Sequence, residues 1–271
     1  MTVPPRVFAT DFDGTLLRSD GTISQRTARA IVAAEAAGCV VIVATARPPR
    51  WMDPFAQQVG SHGLVLCTNG AFVLDLHAGA VVEEHTMSLE AALEVADRLR
   101  TALPGTAFGV EGRSGLGAEP SLLDLRGPGG EQVTDARRVA PLEELLADEL
   151  PGKLLARHDS LTGDEFIARA TAVVGDLAHL AYSGAPGLAE MTAPGVTKAT
   201  ALQRWCRERD IDAADVWTFG DMPNDVPMLA WAGRGYAVAN AHPDAVAAAS
   251  HRCPANDEDG VAEVIEAALR R

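Results

Sequence analysis

Lysine is almost missing from this chain: of 23 basic residues, only Lys153 and Lys198 are lysine and the rest are arginine. Arginine therefore serves wherever a generic positive charge is wanted, and each lysine calls for a reason of its own. Basic charge as a whole is also short. Against 37 acidic residues it leaves a formal charge of −14 and a pI near 4.9. Such a surface repels phosphate backbones and anionic lipid at long range, which argues against nucleic-acid and membrane partners. No apolar run approaches the ~20 residues that would span a bilayer. The first residues, MTVPPRV, lack the basic and apolar regions of a secretion signal, so a cytoplasmic protein is expected. Cysteine is sparse, and Cys39, Cys67, Cys206 and Cys253 form neither a CxxC pair nor a cluster with histidine. They read as reduced, buried thiols rather than metal ligands or nucleophiles. Internal repeats and low-complexity linkers are absent too.

What is present is a chain of 271 residues, 47% apolar, long enough for two moderate cores. Near the N-terminus short apolar runs, RVFAT, CVVIVA and LVLCT, alternate with helical patterns. Continuous Val/Ile-rich runs of this kind mark parallel strands covered on both faces. The first helix has Ser24 as its N-cap and Gly38 as its stop. The same grammar returns in VWTFG and GYAVA, after a helix over about Thr197–Arg209. Between Val81 and Gly187 the strands change to mixed polarity and interleave with two or three helices, which suggests an α+β insertion built on an antiparallel sheet. Residues 1–80 and 188–271 are thus expected to form a doubly wound, Rossmann-like parallel-sheet core, and 81–187 a second, inserted domain. Gly127–Gly130 reads as a surface turn.

Polar residues follow the apolar runs directly: Asp11 after RVFAT, Thr45 after CVVIVA, Asn69 after LVLCT and Asp221 after VWTFG. In an open parallel sheet these strand ends share one edge, where ligands bind. Each residue alone would serve as a helix cap or turn former. Together, Asp11, Asp13, Asp221 and Asp225 crowd carboxylates at a Coulomb cost that a cation must relieve. Hard oxygen donors without histidine or cysteine suit Mg²⁺. Lys198, opening a predicted helix, supplies a compact positive charge beside backbone N–H groups that also favour an anion.

The motifs DFDGTL, Thr45, Lys198 and GDMPND stand in the order of the four motifs of the haloacid dehalogenase superfamily. The chain resembles its Cof-type phosphatases, which carry an α+β cap inserted between the second and third motifs. CTNGA at 67–71, MTAPGVTKATAL at 191–202, AVANA at 237–241 and EDGVAEVI at 258–265 extend the likeness over both core segments. The resemblance implies a nucleophile at Asp11 and a general acid/base at Asp13, with Mg²⁺ held by Asp11, the backbone carbonyl of Asp13, and Asp221. It implies phosphate binding by Thr45, Lys198, Asn224 and the backbone at Phe12 and Ala46, with Asp225 orienting Lys198 or the metal shell. Arg47 and Asn69 are further candidates for substrate contact. One departure is Thr45-Ala46-Arg47, where such proteins usually have Thr-Gly-Arg.

The expected reaction is Mg²⁺-dependent hydrolysis of a small phosphorylated metabolite, sugar phosphates first, through an aspartyl phosphate. A phosphohexomutase using the same intermediate is an alternative, and so is a non-catalytic phosphometabolite-binding protein. Carbon–halogen hydrolysis is disfavoured, since it needs neither Asp13 nor GDMPND. Arg113, Glu119 and Arg157 are the cap candidates for specificity. A monomer is the default, with a dimer left open.

Overall fold

The computed structural model describes residues 4–60, 62–125, 133–161, 163–181 and 187–270; the turn expected at Gly127–Gly130 lies outside them. The chain forms two compact units, Met1–Glu83 with Thr197–Arg271, and Glu84–Val196.

In chain order the strands are β1 (Val7–Asp11), β2 (Val40–Ala44), β3 (Leu64–Cys67), β4 (Phe72–Asp75), β5 (Ala80–Glu84), β6 (Thr106–Gly112), β7 (Gly115–Ala118), β8 (Arg138–Val139), β9 (Lys153–His158), β10 (His179–Ala181), β11 (Ala189–Thr192), β12 (Val216–Gly220), β13 (Arg234–Val238) and β14 (His251–Cys253). The helices are α1 (Gln25–Ala36), α2 (Leu89–Ala102), α3 (Pro120–Asp124), α4 (Leu142–Asp148), α5 (Gly163–Val174), α6 (Lys198–Arg207), α7 (Val226–Trp231), α8 (Pro243–Ala248) and α9 (Gly260–Leu269). None of them is long and apolar enough to cross a membrane.

The first unit holds the sheet β14-β13-β12-β1-β2-β3-β4-β5. Pairing is parallel from β14 through β3, and β4 returns antiparallel to β3. Every residue of β1 and β12 is buried, as their unbroken apolar runs require of central strands covered on both faces. On one face Val7, Ala9, Ile42 and Leu66 pack against Ala199, Leu202 and Trp205 of α6. The ring of Phe8, on alternate sites of β1, meets Trp217 edge-on at 5.7 Å. Helix α1 starts where Ser24 accepts a hydrogen bond from the Thr27 N–H (3.0 Å), and the chain turns away at Gly38, φ +87°. Arg26 of α1 pairs with Glu266 of α9 at 2.7 Å.

The second unit holds the sheet β10-β11-β9-β6-β7-β8. It is antiparallel except at its edge, where β7 and β8 run parallel. The expected antiparallel sheet is corrected there, where β8 adds to the edge parallel to β7. Among the described residues four helices, rather than two or three, lie in this unit; α3 is too short to show a helical period. Residues 188–196 also belong to this unit and not to the core segment expected from 188, because β11 pairs with β9 and β10. The core of the unit forms on one face of the sheet. Phe108 and Val110, Leu154 and Ala156, and Ala189 and Met191 pack with Val95 and Leu99 of α2, Leu145 of α4 and Phe166 of α5. The alternation of strand side chains sends the residues between them to the other face.

Candidate active site

Asp11 is the last residue of β1, and the parallel neighbours of that strand end at the same edge of the sheet. Beyond it the chain leaves the strand direction at Gly14, φ +76°. A Cβ at this glycine would lie 2.5 Å from Asp221 Oδ2, so only hydrogen fits between the turn and that carboxylate. The next residue holds the same group: Thr15 Oγ1 donates to Asp221 Oδ1 at 2.8 Å. Asn240 Nδ2 donates to the Gly14 carbonyl at 2.8 Å. The Gly-Thr pair thus positions Asp221 as well as turning the chain.

Lys198 is the first residue of α6. Its N-cap Thr197 and Thr200 exchange reciprocal hydrogen bonds, Thr200 N–H to Thr197 Oγ1 at 3.1 Å and Thr197 N–H to Thr200 Oγ1 at 2.9 Å. The Lys198 ammonium, 2% exposed, donates to Asp11 Oδ1 at 2.5 Å and to Asp225 Oδ1 at 2.7 Å. The second oxygen of Asp225 accepts from the backbone N–H groups of Asp221 (3.1 Å) and Met222 (3.0 Å). Asp225 therefore touches Lys198 directly and holds the backbone that carries Asp221.

Ligand oxygens of Asp11, Asp221 and Asp225 lie within 4.8 Å of one another. Burial raises the Asp11 carboxyl well above its ordinary range, and the charges of Asp225 and Asp221 add to this against the opposing Lys198. Asp221 is raised too, chiefly by burial, although the Thr15 hydrogen bond works the other way. Burial on its own would lower Lys198, but the two carboxylates it touches outweigh this and raise it. One buried ammonium thus stands against three buried carboxylates. An all-oxygen donor set with surplus negative charge fits a divalent metal.

On the other side of this cluster, Thr45 is fully buried and its hydroxyl oxygen accepts from the Arg47 N–H at 3.0 Å. Asn69, φ +55°, donates its N–H to the Thr45 carbonyl at 2.9 Å, and its Oδ1 accepts from Asn224 Nδ2 at 3.2 Å. Thr68 Oγ1 and Asn69 Nδ2 are buried donors without a hydrogen-bond partner among the described residues. Buried donors left open cost free energy unless a ligand takes them, and an anion would.

Arg47 is placed on Asp13. It makes a two-pronged ion pair, Nε to Oδ2 at 2.9 Å and a terminal nitrogen to Oδ1 at 2.5 Å, and its guanidinium lies over the rings of Phe12 (5.1 Å) and Phe55 (5.5 Å). Phe12 is itself buried edge-on to Phe55. The Asp13 side chain is about half exposed and is not one of the three carboxylates that gather within 4.8 Å of one another. A cleft of about 490 Å³ opens beside Asp13 and Gly14, lined also by Arg18, Arg47, Asn240 and Asn256.

Of the cap candidates, Glu119 is a structural pin: its carboxylate takes Arg100 at 2.5 Å and the Phe108 N–H at 2.9 Å. Arg113 is exposed in the turn between β6 and β7, whereas Arg157 is buried in β9. Thr15, Thr68 and Asn240 join the site without having been picked from the sequence. Thr15 stood inside DFDGTL and Asn240 inside AVANA, so the signal was adjacency to a motif.

Residues 8–265 match the family model of haloacid dehalogenase-like hydrolases. The chain belongs to that family. Within it, the chain is similar to the HMP-PP phosphatase of Cronobacter sakazakii, 29% identical over 91% of this chain and 88% of that one. It is likewise similar to the 5-amino-6-(5-phospho-D-ribitylamino)uracil phosphatase YitU of Bacillus subtilis, 27% identical over 98% of each chain. Its fold matches that of BT1666 from Bacteroides thetaiotaomicron, a phosphatase of the superfamily, with a TM-score of 0.80 at 19% identity over 97% of this chain and 95% of that one.

Proposed function

We propose that this member of the haloacid dehalogenase-like hydrolases is a phosphatase of small phosphorylated metabolites, working through a phosphoryl group carried on Asp11. The observation that carries the reading is the buried chain Asp225–Lys198–Asp11 beside Asp221, at the edge of a parallel sheet. Relatives named as an HMP-PP phosphatase and a 5-amino-6-(5-phospho-D-ribitylamino)uracil phosphatase support the substrate class.

An oxygen of Asp11 attacks phosphorus while the bond to the leaving oxygen breaks. Phosphoryl transfer asks mainly for alignment and for neutralisation of the equatorial oxygens. Lys198 is the protein's fixed cation for that purpose, and Asp225 keeps it in place. Thr45, Thr68, Asn69 and Asn224 offer polar groups for the remaining oxygens, with the backbone at Phe12 and Ala46. Asp13 delivers a proton to the leaving alkoxide and later takes one from the water that attacks the acyl phosphate. Arg47 takes both oxygens of Asp13, so Asp13 has to come off Arg47 before it can serve the leaving group. Asp11, Asp221 and the backbone carbonyl of Asp13 would hold Mg²⁺. When bound, this ion supplies Lewis-acid neutralisation of the phosphoryl charge.

Phosphate release from a panel of phosphomonoesters tests the reading. Activity is expected with Mg²⁺, lost with a chelator and restored by added metal, and absent in Asp11→Asn. Turnover persisting in Asp11→Asn would remove the nucleophile assignment, and hexose phosphate isomers appearing in place of free phosphate would make the protein a mutase.

A further inference from the structure

Two segments of the first unit that carry the carboxylates of the site are tied together by a third that holds no reacting group. β13 runs parallel to β12, so the loop after it, residues 239–242, leaves the sheet at the same edge as Asp221. The His242 N–H donates to the Asp221 carbonyl at 2.7 Å. Two residues earlier the Asn240 side chain uses both of its ends: Nδ2 donates to the Gly14 carbonyl at 2.8 Å, and Oδ1 accepts from the Asn256 N–H at 3.0 Å. Asn256, 6% exposed, in turn donates Nδ2 to the Leu17 carbonyl at 2.8 Å. One loop thus grips the main chain behind Asp221 and, through two asparagines, both ends of the turn from Gly14 to Leu17. All of it lies within the first unit.

The turn needs a hold from outside. Gly14 sits at φ +76° and ψ −4°, and a glycine has no side chain to select that conformation over its alternatives. The carbonyl just before it, on Asp13, and the carboxylates of Asp11 and Asp221 are the groups that would hold Mg²⁺. Three carboxylates gather here around one ammonium, so unless a cation balances them their repulsion works to part the two segments. Asn240 and the His242 N–H oppose this with neutral hydrogen bonds, which add no charge to the site. Mg²⁺ tolerates little departure from octahedral geometry, so ligands held at the right spacing beforehand bind it more tightly. Asn240 is itself exposed, and water competes for its hydrogen bonds, so they contribute little to the stability of the fold.

We infer that Asn240 is a positioning residue for the metal: with the His242 N–H it fixes the spacing between the Asp13–Gly14 turn and Asp221, and so sets the affinity of the site for a divalent cation. The inference rests on the Mg²⁺-dependent reading of the site, and its test measures binding apart from turnover. Calorimetric titration of Mg²⁺ into the full chain gives the dissociation constant for wild type, Asn240→Ala, His242→Ala and His242→Pro. Asn240→Ala is expected to weaken Mg²⁺ binding about 10–100-fold. Its melting temperature in chelator is expected to move by about 2 °C or less, the scale for an exposed residue. His242 has φ −58°, which proline adopts, so His242→Pro deletes the N–H along a similar backbone path, whereas His242→Ala loses the same side chain and keeps the N–H. A gap of about tenfold or more in Mg²⁺ affinity between these two variants is expected and reads the N–H alone. Equal constants in wild type and Asn240→Ala would overturn the assignment, as would a wild type that binds no Mg²⁺. Weaker binding by Asn240→Ala with a large fall in its chelator melt would also overturn it, since the residue would then be merely structural. If His242→Pro does not fold, Asn240→Ala decides by itself. Mg²⁺ binding by the wild type without phosphate release from any phosphomonoester would count against the hydrolytic reading alone.

Discussion

Replacing Lys198 by methionine removes the positive centre of the site and leaves Asp11 and Asp225 facing each other without it. The ammonium is 2% exposed and makes contacts of 2.5 and 2.7 Å to two buried carboxylates. Breaking a buried pair from one side costs about 3–5 kcal/mol, since the abandoned charge keeps its desolvation penalty. Here two charges are abandoned, and protonation of Asp11, already pushed upward by burial, relieves part of the cost. For a domain of this size each kcal/mol moves the melting temperature by about 2–4 °C, so a fall of roughly 6–20 °C is expected without metal. Adding Asp225→Asn removes one of the stranded charges, and the double variant should recover about 1–3 kcal/mol relative to additivity. Thermal melts of the four proteins of this cycle, all in chelator, provide the measurement. Phosphate release should fall about 10²–10³-fold in Lys198→Met, the scale of losing one preorganised charge stabiliser. A melting temperature equal to wild type, or strictly additive variants, would refute the view that Lys198 balances the two carboxylates.

Gly14→Ala should weaken Mg²⁺ binding by about 10–100-fold, because the new Cβ enters the space of Asp221 Oδ2. The positive φ adds about 1–2 kcal/mol of backbone cost, readable by titrating metal and by denaturant melts. Asp259 gives a pH signature. Burial raises its carboxyl, but hydrogen bonds from Arg18 and Ser24 and the charges of Arg18 and Arg26 outweigh that and hold it below the ordinary 3.8. A depressed folded-state value means a stabilising contribution that is complete above that pH and lost as acid takes the solution below it. Asp259→Asn keeps a residue that tolerates φ +59° and should remove about 1 kcal/mol or less at neutral pH, with the gap to wild type closing below pH ~3.8. A constant gap down to acid would contradict the ion-pair account.

The two central strands were legible because burial on both faces leaves an uninterrupted apolar run, as in VFATD and VWTFG. Asp11 and Asp221 could be placed at one edge because parallel strands point the same way. Lys198 stood out by composition. Harder to read were contacts between side chains far apart in sequence. Nothing in Thr45-Ala46-Arg47 says that Arg47 spans to Asp13, and nothing in Thr15 names Asp221 as its acceptor. The cap was less legible than the core, since its short strands carry glycine and mixed polarity. That is why the boundary at 188 fell on the wrong side of β11.

Local chemistry along the chain was enough to set the central parallel strands and the helices before them, the carboxylates at strand ends, and the membership that the motifs imply. Tertiary structure alone decided which carboxylate Lys198 would touch, that Asp225 would brace it, and that Lys153 and Glu190 would pair in the cap sheet. The reason is physical: backbone propensity and burial act over neighbouring residues, whereas hydrogen bonds and ion pairs between residues as many as 241 apart exist only once the sheets have brought their strands into register.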